Sequence, residues 1–317
     1  MGGLRAISSQ AELIFAPRGR ADFKRLSVSI PYAEVYSLVQ NETGLKVFGV
    51  DFSTKMDFDR INTEWATRAD WPDSTGRTIA NLWTEIGHGA RDRDKEVAFN
   101  SRCISFQIRS LGLSAKNLSD SYYNALELHL PDEASQPFSS IRTMEIVFSM
   151  HAFLQCATTA LDYIFRFVLR NIFGKAKNFD SFARGRVELE RDGFLSFDQA
   201  EEIQDVYNVR NLAAHNAPLS ITGHFGGAIR LNQKGYPSLE FRIIKPDRKA
   251  IEFREVLAAI STLEEWRSFE RENSQRIDLL EYANQVLHLV CSLAKKTFDR
   301  SPVRPEPLSI GPGDIVR

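Results

Sequence analysis

The sequence predicts a mainly α-helical protein. Its predicted core is an up-and-down four-helix bundle with an inserted β-hairpin, preceded by a small mixed α/β region. From Arg91 onward, apolar residues recur at intervals of three and four, which is the spacing of an amphipathic helix. Proline- and glycine-containing stretches such as PDEASQP divide this pattern into separate helices. Two runs with a period of two interrupt the helices between 224 and 245, and they predict the hairpin.

The first ninety residues differ in composition from the rest of the chain. They hold three of the four tryptophans, one strand-like run, LKVFGVDF, and turn signals at WPDSTG and GHG. We therefore predict three regions. Residues 1–90 form the small mixed α/β region, 91–300 form the bundle with its hairpin, and 301–317 form a disordered tail that carries four prolines and two glycines.

The bundle helices can be bounded from their caps. One long apolar helix is predicted from Ser139 to Phe173, with Gly174 as its C-terminal cap. The next helix begins after Ser196, and Gln199 three residues later completes a capping box. It ends near His215, because Pro218 cannot continue a helix.

Composition limits the partners of the protein. Forty basic residues nearly balance 41 acidic ones among the 317, so net charge favours neither nucleic acid nor a membrane surface. The chain begins without the basic start and apolar run of a secretion signal, and its uncharged stretch from Ile146 to Leu161 is too short to span a bilayer. The three cysteines, Cys103, Cys156 and Cys291, have no metal-ligand spacing. These features predict a cytoplasmic protein with reduced thiols and no membrane.

The end of the helix before Pro218 carries an unusual set of polar residues, in the sequence YNVRNLAAHNAP. Asn211 and His215 lie one turn apart on the same face, and Arg210 lies about 100° away with a side chain long enough to reach the same point. Histidine exchanges protons near neutral pH, and arginine offers a fork of donors to phosphate. The set therefore suits cleavage of RNA by attack of the ribose 2′-hydroxyl, which needs no metal or cofactor and is closed to DNA.

The sequence from Arg210 through Asn211 to His215 resembles the R-(polar)-x3-H motif of the HEPN superfamily. This resemblance implies a small four-helix bundle with the motif at the end of its third helix. It also implies a homodimer in which two copies of the motif form one cleft. Many members are metal-independent endoribonucleases of toxin–antitoxin, abortive-infection and antiviral defence systems. RNA and an antitoxin or other defence protein are the partners that the resemblance implies.

A second polar pattern runs along the long apolar helix. His151, Gln155, Thr158, Asp162 and Arg166 recur at intervals of four, three, four and four, so they form one ridge. Such a ridge either faces solvent or lines a polar seam against the third bundle helix. In the second case Asp162 would orient Arg210 or His215, as an acidic residue does in many HEPN members.

The predicted catalytic residues are Arg210, His215, Asn211 and Asp162, and the predicted substrate-binding residues are Tyr207 and Arg166. Tyr207 either stacks on a base or fills the core. Arg210 and His215 have a purely structural interpretation too, as a surface arginine and a helix-terminal histidine. Two other functions stay open: a non-catalytic HEPN bundle that binds RNA, nucleotide or protein, and a helical scaffold or dimerisation protein.

Overall fold

The structure is a computed structural model of the 317-residue chain. It describes the following residues: 4–9, 12–17, 24–26, 50–53, 67–70, 74–128, 141–175, 181–215, 228–231, 237–244 and 274–305, with single positions at 41, 259, 261, 262, 264, 265, 268 and 272. Side chains are described for 79–122, 124, 145–175, 181–211 and 278–305, and for the single positions. Most of the predicted helix that begins with FREVLAA and residues 306–317 of the predicted tail lie outside the described residues.

The described part is mostly helical, as predicted. Its six helices, in chain order, are α1 (Ser74–Gly89), α2 (Lys95–Leu128), α3 (Ile141–Phe167), α4 (Phe182–Arg191), α5 (Phe197–His215) and α6 (Leu279–Asp299). A single π-helical turn, Val168–Ile172, continues α3.

Eight short strands accompany the helices. They are β1 (Leu4–Ser9), β2 (Glu12–Pro17), β3 (Lys24–Leu26), β4 (Val50–Ser53), β5 (Thr67–Asp70), β6 (Ala228–Leu231), β7 (Pro237–Ile244) and β8 (Ser274–Asp278). They form antiparallel sheets in the orders β1-β2-β3, β4-β5 and β6-β7-β8. The β6–β7 pair falls in the span 224–245, and β8 extends its sheet directly before α6.

The predicted ends of α3 and α5 agree with the structure. Gly174 follows the π turn with a φ of 63°, a left-handed conformation that suits glycine at the end of a helix. At the start of α5, the Gln199 amide nitrogen donates to the Ser196 hydroxyl at 3.2 Å, and the Ser196 amide donates to the Gln199 side chain at 3.3 Å. This reciprocal pair is the capping box read from the sequence. The described part of α5 reaches His215, the residue near which the sequence predicts the end of the helix.

One hydrophobic core joins the helices, and it crosses the predicted domain boundary at residue 90. Trp83 of α1 is fully buried against Phe167, and its indole nitrogen donates to the carbonyl of Ala294 in α6 at 3.2 Å. The helix α1 packs along α2 and against α6, so it belongs to the bundle. Its place depends on a contact with a residue 211 positions away, which the local pattern of residues 1–90 does not contain.

The helix α3 is the central element of the bundle. Its segment Glu145–Ile172 is long and apolar enough to cross a membrane by length and composition, which the shorter uncharged stretch in the sequence did not indicate. Most of that segment is buried inside the bundle, where α3 packs against α2, α5 and α6. This is the environment expected of the core helix of a soluble protein.

Candidate functional site

The polar ridge of α3 lies against α5, so it lines the seam between these two helices. Tyr207 of α5 contacts Thr158 and Asp162, and Arg210 contacts Gln155. As the chain proceeds along α5 from Tyr207 to Arg210, its contacts move backward along α3 from Asp162 to Gln155, so the helices run antiparallel. The seam interpretation of the ridge is therefore the one that the contacts support.

One contact across the seam is a hydrogen bond between the phenol of Tyr207 and the carboxylate of Asp162. The Tyr207 hydroxyl donates to Oδ1 of Asp162 at 2.6 Å and lies 3.3 Å from the Thr158 carbonyl oxygen. Burial raises the pKa of Asp162 above its ordinary value of 3.8. The hydrogen bonds from Tyr207 and the Phe182 backbone, and then the positive charge of Arg210, oppose that rise.

Burial also raises the pKa of Tyr207 well above its ordinary value, and the neighbouring Asp162 carboxylate adds to the rise. The phenol therefore keeps its proton near neutral pH and acts as a donor. Its ring stacks on Phe182 of α4 with centroids 5.4 Å apart and planes 5° from parallel. One ring face is thus occupied by protein, as the core interpretation of Tyr207 requires, and that face cannot stack on a base.

The other contact across the seam holds the guanidinium of Arg210. Its Nε donates to Oε1 of Gln155 on α3 at 3.0 Å, and one terminal nitrogen donates to Oδ1 of Asn211 at 2.8 Å. These two bonds use two of the five N–H donors of an arginine. The side chain is half-buried, and among the described residues no further hydrogen-bond partner of the guanidinium is found. Within the described part of the chain, Arg210 is therefore fixed in direction by two hydrogen bonds that leave other N–H donors of the guanidinium unused.

In the structure Asn211 contacts Arg210, whereas its spacing to His215 suggests a contact with that histidine. Its side-chain oxygen accepts from Arg210, so it acts as a support for the guanidinium. His215 is the last residue of α5, one turn beyond Asn211, and its side chain lies outside the described residues. The predicted meeting of Arg210 with His215 therefore stays a prediction.

Asp162 contacts a residue other than the two predicted for it. Its hydrogen bonds come from the Tyr207 hydroxyl and the Phe182 backbone, and its interaction with Arg210 is charge attraction. The residue that holds Arg210 directly is Gln155, one of the five positions of the ridge. The ridge spacing was the signal for Gln155, whereas nothing in the sequence pointed to Phe182, because the short helix α4 was not predicted.

Arg166 lies at the other end of the ridge, eleven residues beyond Gln155. Its guanidinium carbon lies 4.9 Å from the ring centroid of Tyr163, a cation–π arrangement. Its Nε is buried and has no hydrogen-bond partner within the described part of the chain, and its charge lowers the pKa of Asp162 in opposition to burial. Arg166 therefore lies about 16 Å from Gln155 along the axis of α3, at a rise of 1.5 Å per residue. Its predicted role in substrate binding stays a prediction.

His151 is the first residue of the ridge, one turn before Gln155 on α3. It is half-buried, and its Nε2 atom is shielded from solvent and has no hydrogen-bond partner among the residues that the structure describes. Burial lowers the pKa of His151 below its ordinary value of 6.5, so this imidazole is neutral near neutral pH.

The described residues contain no group of three or more histidine, cysteine, aspartate or glutamate side chains arranged to hold a metal ion. The three cysteines are free thiols; Cys291 is buried, whereas Cys103 and Cys156 are half-buried. Comparisons of the chain with protein-family models, with curated proteins and with solved structures found no match. The function of the seam between α3 and α5 therefore has to follow from its residues and their contacts.

Proposed function

We propose that this protein is a metal-independent endoribonuclease of the HEPN type. The observation that carries the proposal is the Arg210 guanidinium, held by Gln155 and Asn211 with donors remaining, one turn before His215 at the end of α5. A guanidinium fixed in this way suits a phosphate group, because it needs no rearrangement as charge builds up in the transition state.

In the proposed reaction, the ribose 2′-oxygen attacks the neighbouring phosphorus and loses its proton, and the bond from phosphorus to the 5′-oxygen breaks. The 5′-oxygen takes up a proton, so the products are a 2′,3′-cyclic phosphate and a free 5′-hydroxyl. His215 serves as the acid or base in these proton transfers, and Arg210 stabilises the phosphate oxygens.

Asp162 and Tyr207 support this arrangement about one helical turn away from Arg210. Their hydrogen bond ties α5 to α3 two turns from the end of α5. The Asp162 charge also attracts Arg210, so the carboxylate biases the guanidinium toward the seam. We therefore assign Asp162 and Tyr207 a positioning role.

The resemblance to HEPN proteins supplies the rest of the proposal. The working form is a homodimer whose two motifs share a cleft, and the β-strands between α5 and α6 are an insertion into the simple bundle. The setting is cytoplasmic, in bacterial defence or toxin–antitoxin growth arrest, where an antitoxin or another defence protein controls the activity.

A cleavage assay in EDTA tests the proposal. Wild-type protein, His215→Ala and Arg210→Ala are incubated with end-labelled RNA, and the same RNA with a 2′-deoxy substitution at the cleaved position serves as the substrate control. We expect chelator-resistant cleavage that leaves a 2′,3′-cyclic phosphate, disappears in both variants and spares the deoxy position. RNA binding without cleavage would instead indicate a non-catalytic bundle, and neither activity would leave the scaffold interpretation.

A further inference from the structure

The outward face of α2 carries large apolar side chains in one line. Phe99, Phe106 and Leu113 are 59%, 65% and 58% exposed, and each follows the previous one by seven residues. Seven residues are nearly two helical turns, so the three side chains share one face and stand about 10 Å apart along the axis. They are three of the six large hydrophobic side chains that are exposed in the described part of the chain. Exposed apolar residues are normally scattered singly, so this line indicates a surface for contact with another molecule.

Arginines alternate with the apolar residues along the same line. Arg102 and Arg109 lie three residues after Phe99 and Phe106, and both arginines are exposed. The intervals of three and four residues are those of a heptad repeat, with apolar side chains at one of its two seam positions and arginines at the other. We call this set the α2 stripe: Phe99, Arg102, Phe106, Arg109 and Leu113.

Both arginines of the α2 stripe lean on α1, and neither is neutralised there. A terminal nitrogen of Arg109 donates to the side-chain oxygen of Asn81 at 2.8 Å, and this amide carries no charge. A Cβ atom built on Gly87 would lie 3.2 Å from Cγ of Arg102, so the aliphatic part of that side chain packs on α1. Among the described residues, no hydrogen bond or ion pair is found for the Arg102 guanidinium.

The helix α2 also lacks negative charge along the α2 stripe. Its sequence contains no aspartate or glutamate from 97 to 119. The acidic residues at the two ends of this span already have cationic partners, because Glu96 lies 3.3 Å from Arg170 and Asp120 lies 2.6 Å from Lys116. The α2 stripe is therefore an apolar seam with positive charge, and a complementary surface is apolar with negative charge.

We propose that the α2 stripe binds an amphipathic α-helix of a partner protein, whose apolar face repeats every seven residues and carries glutamate or aspartate opposite Arg102 and Arg109. A helix suits this surface because its own side chains recur at the same spacing and can interdigitate with those of α2. The proposal is independent of the proposed ribonuclease function.

Two other partners fit the α2 stripe less well. A second copy of the stripe offers no acidic group, so the arginines would be buried without a partner of opposite charge, which is costly. Successive nucleotides of a stacked RNA strand are about 3.4 Å apart, which does not match apolar side chains about 10 Å apart.

Fluorescence anisotropy with designed peptides tests the proposal on the full chain. Two labelled peptides of three heptads carry leucine at every seventh residue. Glutamate follows the leucine by three residues in the peptide for a parallel partner and by four in the peptide for an antiparallel partner. Two control peptides carry lysine in place of glutamate. We expect saturable binding of a glutamate peptide that weakens with added salt, and no binding of the lysine peptides.

Exposed positions of the α2 stripe allow variants that leave the core intact. Phe106→Ser should weaken binding of the glutamate peptide about tenfold, because it removes the central apolar anchor. Arg102→Glu should weaken it to a similar extent and should confer binding of the corresponding lysine peptide. Phe197→Ser, at a side chain of α5 that is 67% exposed, and Arg304→Glu, at an exposed arginine after α6, are the matched controls and should bind as the wild type does. Circular dichroism and thermal unfolding establish that each variant is folded.

Absence of saturable binding by both glutamate peptides overturns the proposal, and so does equal binding by the stripe variants and the controls. The other partners give different results. A 2′-O-methyl RNA that binds the wild type but neither Phe106→Ser nor Arg102→Glu, when no peptide binds, would make the stripe an RNA surface. A dimer that Phe106→Ser converts to a monomer in sedimentation, again without peptide binding, would make it an interface between copies. RNA cleavage in EDTA is measured separately, so its failure leaves the peptide result unchanged.

Discussion

The hydroxyl of Tyr207 lies 2.6 Å from the carboxylate of Asp162, and this hydrogen bond joins the helix α5 to the central helix α3. The carboxylate is largely buried, and its remaining hydrogen bond comes from the Phe182 backbone. The pair therefore fixes the position of α5 along α3 and its rotation about its own axis, close to the point where Arg210 extends. Its removal should affect stability and site geometry together.

Tyr207→Phe removes the donor and keeps the ring that stacks on Phe182. We expect the free energy of unfolding to fall by about 1–3 kcal/mol, because a buried carboxylate loses a hydrogen bond. The pKa of Asp162 should rise further, since that hydrogen bond lowers it. Urea denaturation gives the stability, and NMR titration of the Asp162 carboxyl gives the pKa. An unchanged pKa would show that the phenol does not support the charge.

Asp162 also makes stability depend on pH. Its pKa in the folded protein is raised above the ordinary value of 3.8, so the stabilisation linked to its protonated form is complete below that value. This stabilisation is lost as pH rises through the folded pKa. The unfolding free energy of the wild type minus that of Asp162→Asn should therefore decrease between about pH 3 and pH 6.

Urea denaturation at a series of pH values measures this difference. Asp198→Asn removes an exposed carboxyl in the first turn of α5 and provides the control for the loss of one negative charge from the protein surface. A difference that grows with pH would mean that hydrogen bonds and the nearby arginines outweigh burial at Asp162.

Gln155→Ala tests how Arg210 is held. Gln155 is exposed, so its loss should change the unfolding free energy by no more than about 0.5 kcal/mol. The Arg210 guanidinium loses its only described contact on α3, and we expect RNA cleavage to fall about 10- to 100-fold. Gln285→Ala, at an exposed glutamine of α6, should have no effect on the rate. Equal rates for the two variants would remove Gln155 from the site.

Gly185→Ala tests the packing of α4 on the end of α3. A Cβ atom at Gly185 would overlap Cδ1 of Leu169 in the π turn, so no methyl group fits there without movement. We expect a loss of about 1–3 kcal/mol, as is typical of overpacked cores. Adding Leu169→Val should recover part of it. Thermal unfolding of the single and double variants measures both effects, and additive losses would argue against a direct clash.

Two truncations test where the bundle begins. Removal of residues 1–73 leaves α1 intact, whereas removal of 1–90 takes away Trp83 and its contacts with Phe167 and Ala294. Loss of a buried tryptophan side chain alone costs about 3–5 kcal/mol. We therefore expect cooperative unfolding to persist in the first truncation and to be lost in the second. Calorimetry of both proteins measures this, and a cooperative transition after removal of 1–90 would place α1 outside the folding unit.

Features set by neighbouring residues were predictable from the sequence. The capping box at Ser196 and Gln199 and the glycine after α3 both depend on local chemistry, and the structure agrees with both. The ridge of α3 was predictable as a pattern too, because four-residue spacing alone defines a helix face.

Features set by distant contacts were not predictable in the same way. The sequence paired Asp162 with Arg210 or His215, but the register of two antiparallel helices is decided by packing, and it brings Asp162 to Tyr207 and Gln155 to Arg210. The helix α4 is short and highly charged, so its position depends on packing at Gly185 and on ion pairs such as that between Lys175 and Glu188.

The bond from the Trp83 indole to Ala294 has a consequence for synthesis of the chain. The two residues are 211 positions apart, so the first bundle helix waits for the last one while the polypeptide leaves the ribosome. The helices that carry Gln155 and Arg210 emerge earlier, but α6, which completes their core, comes after them. We expect the nascent chain to acquire its compact form only after α6 has left the ribosome, and under the proposed ribonuclease function this delay would spare the messenger that is being translated.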